Sequence, residues 1–310
     1  MKIECNLELD ENLARTLSES VAPCEIVRGP NRSLTPDIEI AFGQPEIAII
    51  DKLDGLRWIH LTSAGYTRYD TPEFRATAAR RGLALTNSSS VYASPCAEHL
   101  FAFMLAQSRR LPEALRTRVA GGTPEWNRLR GLSTSLAGEQ VVMLGLGAIA
   151  LRLIELLAPF QMRIVGLRRK RIGNEPVPVI TPPELPAALA TAGHVINILP
   201  DNAGSRNFVD AKFFNSMKRG AVFYNIGRGA TVVQEALADA LRRGQLAAAW
   251  LDVTDPEPLP PGHPLLSAPN CFITPHTGGG HRNEAETLVR HFLDNFYRYQ
   301  DGLPFLGRVM

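Results

Sequence analysis

Short apolar runs alternate with helix-like segments through the second half of the chain, from Val141 onward. The runs are Val141–Leu144, Arg163–Leu167, Val195–Leu199, Ala221–Asn225, Ala247–Leu251 and Cys271–Thr274. Near-continuous apolar strands joined by helices are typical of a parallel sheet that is covered on both faces. The pattern therefore predicts a doubly wound α/β domain.

Residues 1–92 show a smaller version of the same pattern. The candidate strands are Glu25–Val27, Ile38–Phe42, Trp58–Leu61 and Leu83–Thr86, and a helix is predicted near Pro72–Arg81. We expect a second, smaller parallel-sheet domain of flavodoxin-like type here.

Two further helices set the predicted domain boundaries. Ser94–Arg109 is predicted as a connecting helix between the domains. The last predicted helix, Asn283–Tyr299, has no following strand to serve, so we expect it to return to the first domain. The prediction is thus a Rossmann cofactor domain, residues 93–279, inserted in a discontinuous substrate domain of residues 1–92 and 280–310.

Composition narrows the class of protein. The chain has 310 residues, of which 45% are hydrophobic and 21% charged, as in a globular protein large enough for two domains. Its net charge of +2 gives no electrostatic reason to expect nucleic acid or a membrane surface as a partner. The most hydrophobic stretch, Val141–Phe160, carries two charges, and the N-terminus lacks the apolar run of a signal peptide. The four cysteines form no CxxC pair, which favours reduced thiols in the cytoplasm.

A glycine-rich loop follows the first strand of the larger domain and opens a helix. It runs Leu144-Gly145-Leu146-Gly147-Ala148-Ile149-Ala150. Gly145 permits the tight turn, Gly147 lets a pyrophosphate approach the backbone, and Ala150 keeps helix and strand closely packed. The helix N-terminus, at Ala148 and Ile149, offers N–H groups to the phosphates. A simple tight turn would also use glycines, but strand, loop, helix and second strand are in register, so we predict a dinucleotide site.

The residues after the second strand bear on which dinucleotide binds. NAD-selective sites usually place an acid there, whereas this chain has Arg168-Arg169-Lys170-Arg171. Guanidinium groups such as those of Arg168 and Arg169 can clamp a 2′-phosphate, which a carboxylate would repel. A solvated basic turn is the alternative interpretation. We predict NADP(H) as the favoured cofactor and NAD(H) as the second candidate.

Three polar residues follow predicted strands near their C-terminal ends, where open α/β sheets bind ligands. Arg228 lies in a glycine-flanked turn, Glu257 lies between two prolines, and His276 comes directly after the last strand. Each alone has a plain explanation, as a surface arginine, a loop glutamate or a packed histidine. Together they supply a positive anchor, a carboxylate and a proton donor, which ketone reduction requires.

Nine short sequence motifs are distributed over nearly the whole chain. They are Thr62-Ser63-Ala64-Gly65-Tyr66, Ala97-Glu98-His99, the Gly145 loop, Leu199-Pro200, Asn225–Gly229, Leu251-Asp252-Val253, Glu257-Pro258-Leu259-Pro260, His263-Pro264-Leu265 and Thr274-Pro275-His276. In this order they resemble the D-isomer-specific 2-hydroxyacid dehydrogenases, and among them the glyoxylate/hydroxypyruvate reductases. The resemblance implies hydride transfer between a nicotinamide and C2 of a small 2-keto acid or D-2-hydroxy acid.

The resemblance also implies roles for the polar residues. Arg228 would bind the carboxylate or carbonyl of the substrate, His276 would be the general acid/base, and Glu257 would pair with it. The other substrate contacts would come from the turn Ala64-Gly65-Tyr66, in which backbone N–H groups receive the carboxylate and the tyrosine shapes the pocket.

Further residues would serve the cofactor or the scaffold. By the same resemblance, Asp252 would bind the nicotinamide amide, while Leu199-Pro200 and Ile226-Gly227 would line the cofactor site. Glu98 and His99 would lock the helix between the domains without touching the substrate.

A homodimer is the expected assembly. The resemblance suggests it, and so does a row of apolar side chains on the helix at the domain border: Leu100, Phe101, Phe103, Met104 and Leu105. The alternative is that these side chains form the core of the hinge.

Other functions stay open at this point. A nicotinamide-sensing regulator without turnover would have the same fold. A formate-type dehydrogenase is a further alternative, although such relatives carry glutamine where Glu257 stands. No metal site is expected, because the seven histidines show no ligand spacing. The substrate itself is not predicted, because several acids share the carboxylate that the site would bind. They are glyoxylate, hydroxypyruvate, phenylpyruvate-like acids and phosphorylated acids.

Overall fold

The structure is a computed structural model that describes residues 1–28, 36–117 and 120–310. It divides into two compact units, residues 1–92 with 280–310, and residues 93–279. The strands are β1 (Lys2–Cys5), β2 (Glu25–Arg28), β3 (Ile38–Phe42), β4 (Trp58–His60), β5 (Ala84–Thr86), β6 (Gln140–Leu144), β7 (Arg163–Leu167), β8 (Val179–Ile180), β9 (His194–Asn197), β10 (Ala221–Asn225), β11 (Leu246–Leu251) and β12 (Cys271–Ile273). The α-helices are α1 (Glu11–Ser20), α2 (Ile47–Ile50), α3 (Pro72–Arg81), α4 (Ala93–Ser108), α5 (Leu111–Thr117), α6 (Pro124–Leu132), α7 (Ala148–Leu157), α8 (Leu185–Leu189), α9 (Ala211–Ser216), α10 (Gln234–Arg242) and α11 (Glu284–Gln300).

The first unit contains a five-stranded parallel sheet in the order β2-β1-β3-β4-β5. This is the flavodoxin-like order. Alternate side chains of β3 face opposite sides, so that Phe42 packs with α1 and α11 while Ala41 packs with α2 and α3. The ring of Phe292 from α11 stacks on Phe42 with centroids 4.3 Å apart. The final helix is thus part of the core of the first unit.

The second unit contains a seven-stranded parallel sheet in the order β12-β11-β10-β9-β6-β7-β8. Counted within the unit, this is the Rossmann order with one strand added at an edge. Buried side chains such as Val142 of β6 and Phe223 of β10 pack with the helices that connect the strands. Because all strands are parallel, their C-terminal ends lie along one edge, where ligands bind in such sheets.

The predicted fold, two parallel-sheet α/β domains, is confirmed. The sequence pattern did not predict two of the strands, β1 and β8. In β1, Lys2 and Glu4 alternate with Ile3 and Cys5, so that no apolar run marks the strand. Strand β8 has only two residues and lies at the edge of its sheet, which is too short for any periodicity. In the part of the chain that the structure describes, no helix combines the length and the apolar character needed to cross a bilayer.

Candidate active site

His276 and Glu257 come together at the C-terminal edge of the second sheet. Nδ1 of His276 lies 2.8 Å from Oε2 of Glu257. The other oxygen of Glu257, Oε1, accepts the backbone N–H of Thr254 at 2.8 Å, which fixes the carboxylate. Because a carboxylate can only accept, the proton of this bond is carried by Nδ1. Nε2 of His276 is left to hold or release a proton, and the side chain is 51% exposed.

The backbone of His276 is held in an uncommon conformation by one buried residue. His276 has φ +52°, a left-handed value that costs about 1–3 kcal/mol for a residue with a side chain. Three successive N–H groups bond to Asp252: that of His276 to its carbonyl oxygen at 3.0 Å, and those of Thr277 and Gly278 to its carboxylate, both at 2.9 Å. A Cβ on Gly278 would lie 2.7 Å from Oδ2 of Asp252, so only glycine allows this approach. Asp252 therefore fixes the turn that presents the imidazole.

The Arg228 turn follows β10 and packs against the loop that carries Glu257. The guanidinium donates to the carbonyl oxygen of Gly227 at 2.7 Å, and the residue is half-buried. A Cβ on Gly229 would lie 2.0 Å from the carbonyl carbon of Thr254, the residue whose N–H holds Glu257. The two turns are therefore in direct backbone contact.

A buried polar network beneath the Arg228 turn was not predicted. Nδ2 of Asn197 donates to Oδ1 of Asn225 at 3.1 Å and to Oγ1 of Thr231 at 2.7 Å. Oδ1 of Asn225 also accepts the N–H of Gly227, and the hydroxyl of Thr231 donates to the carbonyl of Arg228 at 2.6 Å. The available signal was an asparagine at the end of each of two buried strands, since buried polar side chains are rare unless satisfied.

The His276–Glu257 pair opens into a pocket of about 540 Å³ in the second unit. Its polar lining comes from Asp252, Thr254, Glu257, Thr274 and His276. The remaining lining is apolar, with Leu266 and Ile273 among the exposed side chains. Such a pocket combines a few converging polar groups with apolar walls, as small-molecule sites do.

Cys96, on α4, is a buried thiol on which the charge of Asp252 acts. Burial first, and then the negative charge of Asp252, raise the pKa of its thiol to about 12. The thiol therefore stays protonated near neutral pH and is not available as a nucleophile.

The glycine-rich loop borders a second pocket, of about 800 Å³. Six of the predicted cofactor residues line it: Gly145, Gly147, Arg168, Arg169, Leu199 and Pro200. Gly145 has φ +100°, as a tight turn requires, and a Cβ on Gly147 would meet nothing within 4 Å. Helix α7 begins at Ala148 with no side chain capping its first turn, so the N–H groups there are open to a phosphate.

Other predicted cofactor residues adjoin this pocket. A Cβ on Gly227 would lie 2.7 Å from the carbonyl oxygen of Leu199, which brings the Ile226-Gly227 turn against the pocket wall. Ala148 and Ile149 form the first turn of α7. Five lining residues were missed because they belong to no recognisable motif: Pro182, Asn202, Gly204, Ser205 and Phe208.

The residues of the basic run, Arg168–Arg171, make different contacts. Nη2 of Arg168 donates to the carbonyl of Leu146 at 2.9 Å, while its Nε is buried without a hydrogen-bond partner in the described part of the chain. Arg169 and Lys170 are exposed and line the pocket. Arg171 instead pairs with Glu184 at 2.7 Å. An unpartnered guanidinium N–H beside the glycine loop fits an anionic group of a dinucleotide.

The predicted substrate turn lies in the first unit, after β4. Two of its carbonyl groups accept hydrogen bonds. Nδ2 of Asn87 donates to the carbonyl oxygen of Ala64 at 2.8 Å, and the hydroxyl of Ser63 donates to the carbonyl oxygen of Gly65 at 2.6 Å. The N–H groups of Ala64 and Gly65 donate to no acceptor among the residues that the structure describes. Tyr66 is half-buried against the core of the first unit.

Comparison with known proteins decides the family. Residues 101–278, more than half of the chain, match the family model described as D-isomer specific 2-hydroxyacid dehydrogenase, NAD binding domain. The chain belongs to this family.

Individual members of the family extend the match. A glyoxylate reductase/hydroxypyruvate reductase from Mus musculus is 35% identical over 242 residues, which are 75% of this chain and 70% of that protein. The crystal structure of a D-isomer specific 2-hydroxyacid dehydrogenase family protein from Aeromonas salmonicida is 28% identical with a TM-score of 0.81, and covers 100% of this chain and 98% of that one. An NADPH-dependent glyoxylate/hydroxypyruvate reductase from Sinorhizobium meliloti, solved with NADP and malonate, is 25% identical with a TM-score of 0.76 and covers 99% and 96%.

This D-2-hydroxyacid dehydrogenase is an NAD(P)-dependent oxidoreductase. It transfers a hydride between the nicotinamide and C2 of a small 2-keto acid or 2-hydroxy acid. The predictions of enzyme class and of a nicotinamide cofactor are confirmed, and the comparisons favour neither the regulator nor the formate-type alternative.

Proposed function

We propose that this dehydrogenase works as an NADPH-preferring reductase of glyoxylate and hydroxypyruvate. The 2.8 Å contact between His276 and Glu257 carries the proposal, because a carboxylate-supported imidazole can protonate the oxygen of a reduced carbonyl. The names of the mouse and Sinorhizobium meliloti relatives support the substrate class.

The roles follow from the site. His276 gives a proton through Nε2, and Glu257 orients the ring and stabilises its charged form. Arg228 holds the substrate carboxylate and polarises the carbonyl. In the first unit, the N–H groups of Ala64 and Gly65 receive the carboxylate. Tyr66, whose turn adjoins them, sets the shape of the pocket.

The dinucleotide is held by the second unit, and when bound it supplies the hydride. The glycine loop and the first turn of α7, residues 145–149, bind the pyrophosphate. Leu199-Pro200 and Ile226-Gly227 form the wall of the cofactor site. Oδ2 of Asp252 accepts the N–H of Gly278 and, with a second lone pair, can also accept from the nicotinamide amide.

The proposal is tested by following the loss of NADPH absorbance with a panel of 2-keto acids. We expect glyoxylate and hydroxypyruvate to give higher kcat/KM than phenylpyruvate or a phosphorylated acid. Tight NADPH binding without turnover of any acid would instead indicate a sensing protein. Preference for a bulky acid would overturn the substrate assignment alone.

Cofactor preference is expected to depend on Arg168. Loss of one guanidinium–phosphate contact should weaken NADPH binding by about 1.5–3 kcal/mol, so Arg168→Asp should raise the Kd for NADPH and spare or improve that for NADH. Arg171→Ala is the matched control, because Arg171 belongs to the same run but pairs with Glu184. Fluorescence titration with both cofactors measures the change. A wild-type enzyme that prefers NADH about tenfold or more in kcat/KM would contradict the proposal.

We further propose a homodimer, with a revised contact surface. Leu100, Phe103 and Met104 are buried within the unit itself, where α4 packs on α7, so they do not support the predicted dimer. The exposed apolar side chains on α5, Leu111 and Leu115, offer a better contact, with Leu115 74% exposed. Light scattering should give a dimer that Leu115→Glu weakens, whereas a wild-type monomer at micromolar concentration would exclude it.

A cytoplasmic location stays a prediction. The four cysteines are free thiols in the structure, which suits a reducing compartment.

A further inference from the structure

A second histidine lies behind the catalytic turn. His99 is on α4, and its Nε2 lies 3.2 Å from Oγ1 of Thr274 and 3.6 Å from Oδ1 of Asp252. Phe103, one turn further along the same helix, packs edge-on against the imidazole with ring centroids 4.4 Å apart. The side chain of His99 is 23% exposed, so the ring is held in place by its neighbours on several sides.

The direction of the hydrogen bonds can be assigned. The hydroxyl of Thr274 has a single proton, which it donates to Oδ1 of Asp252 at 2.6 Å. Thr274 must therefore accept from His99, and Nε2 of His99 must carry a proton. A one-way chain results, in which His99 donates to Thr274, and Thr274 donates to Asp252.

The chain ends at the atoms that fix the catalytic turn. Oδ1 of Asp252 also accepts the N–H of Thr277 at 2.9 Å, next to the left-handed His276. Strained backbone persists only where its surroundings determine it strongly. Asp252 is 2% exposed, so a lost donor would not be replaced readily by water and the carboxylate would be free to shift.

We infer that His99 is a positioning residue for His276, acting through Thr274 and Asp252. His99 touches neither Glu257 nor the pocket that holds the acid/base pair. It is needed to keep the carboxylate of Asp252 where the N–H groups of the turn require it. The inference rests on the proposed role of His276, and it assigns His99 a part in the reaction beyond fastening a helix.

The test compares variants that lack a donor at this position with variants that keep one. His99→Phe keeps the ring against Phe103 but has no N–H, whereas His99→Gln places an amide nitrogen at the same number of bonds from Cβ as Nε2. Thr274→Val and Thr274→Ser form the equivalent pair at the next link. We expect His99→Phe and Thr274→Val each to lower kcat by roughly 10- to 100-fold, because misplacement of a reacting group mainly affects turnover. Any rise in the Kd for NADPH, through the nicotinamide amide that Asp252 is proposed to accept, should be smaller than the fall in kcat. His99→Gln and Thr274→Ser should recover most of the loss.

A matched control separates positioning from stability. His194 lies at the start of β9, at the opposite end of the strand from the site, and its Nδ1 contacts the hydroxyl of Tyr224 at 3.0 Å. His194→Phe also removes a buried histidine hydrogen bond, and should lower Tm without lowering kcat. The double variant of His99→Phe with Thr274→Val should be no worse than the more impaired single variant, since both break one chain.

Three results would overturn the inference: kcat of His99→Phe within about threefold of wild type, equal impairment of the glutamine and phenylalanine variants, or additive losses in the double variant. His276→Ala is measured in parallel. If it loses activity while His99→Phe does not, only the inference fails; if it stays active, the proposed function falls and the inference falls with it.

Discussion

Replacement of His276 by alanine should lower kcat for glyoxylate reduction by about 10²–10⁴-fold. The variant lacks the imidazole that lies 2.8 Å from Glu257 and that we propose as the proton donor. NADPH binding should change little, because the residues that line the pocket beside the glycine loop all lie between 145 and 208 and do not include His276. Steady-state kinetics with a single keto acid and fluorescence titration of NADPH measure the two effects separately.

Glu257→Gln is the companion variant, which keeps the size of the side chain and removes its charge. The carboxylate accepts from Nδ1 at 2.8 Å, and a charge-assisted hydrogen bond of this kind is roughly twice as strong as a neutral one. Glutamine can still accept from Nδ1, but its amide can also turn its NH₂ group toward the ring, so the imidazole should be held less firmly. We expect kcat/KM for glyoxylate reduction to fall by roughly 10- to 100-fold, with the Kd for NADPH little changed. A Glu257→Gln enzyme or a His276→Ala enzyme within about threefold of wild type would contradict the assignment.

The larger sheet was predictable because its strands are apolar on both faces and leave a continuous signal. The same reasoning explains the misses: β1 carries Lys2 and Glu4, and β8 is too short to show a period. Local pattern reports which residues avoid water, but it does not report what covers them. The apolar side chains of α4 illustrate this, because burial against α7 and burial against a second chain give the same sequence.

The candidate site was predictable as residue types at strand ends, and not as contacts. Sequence order places Glu257 and His276 after neighbouring strands, which favours their proximity, but their separation depends on loop conformation. The residues that hold the site in place could not be predicted for the same reason, since their contacts form only in the folded chain. Asn197, Asn225 and Thr231 act together only once β9 and β10 are paired, and His99 meets Thr274 across 175 residues of chain.

Arg228→Ala should lower kcat/KM for glyoxylate by about 10²–10³-fold, the loss expected when one donor to a developing oxyanion is removed. The guanidinium is anchored by its bond to Gly227 and has further N–H groups for the substrate, so both substrate capture and carbonyl polarisation should suffer. Arg228→Lys should recover only part of the activity, because an ammonium keeps the charge and loses the planar fork.

The control for this variant is Arg206→Ala. Arg206 is an exposed arginine of the same unit that pairs with Asp201 at 2.8 Å and lines neither of the two pockets described above. Its replacement should leave kcat/KM within about threefold of wild type. If Arg228→Ala raised KM for glyoxylate no more than Arg206→Ala does, and left kcat intact, the substrate carboxylate would have to be held by the Ala64-Gly65 turn alone. Full activity in Arg228→Lys would show that charge without geometry is enough, which the bond to Gly227 and the packing of Gly229 against Thr254 argue against.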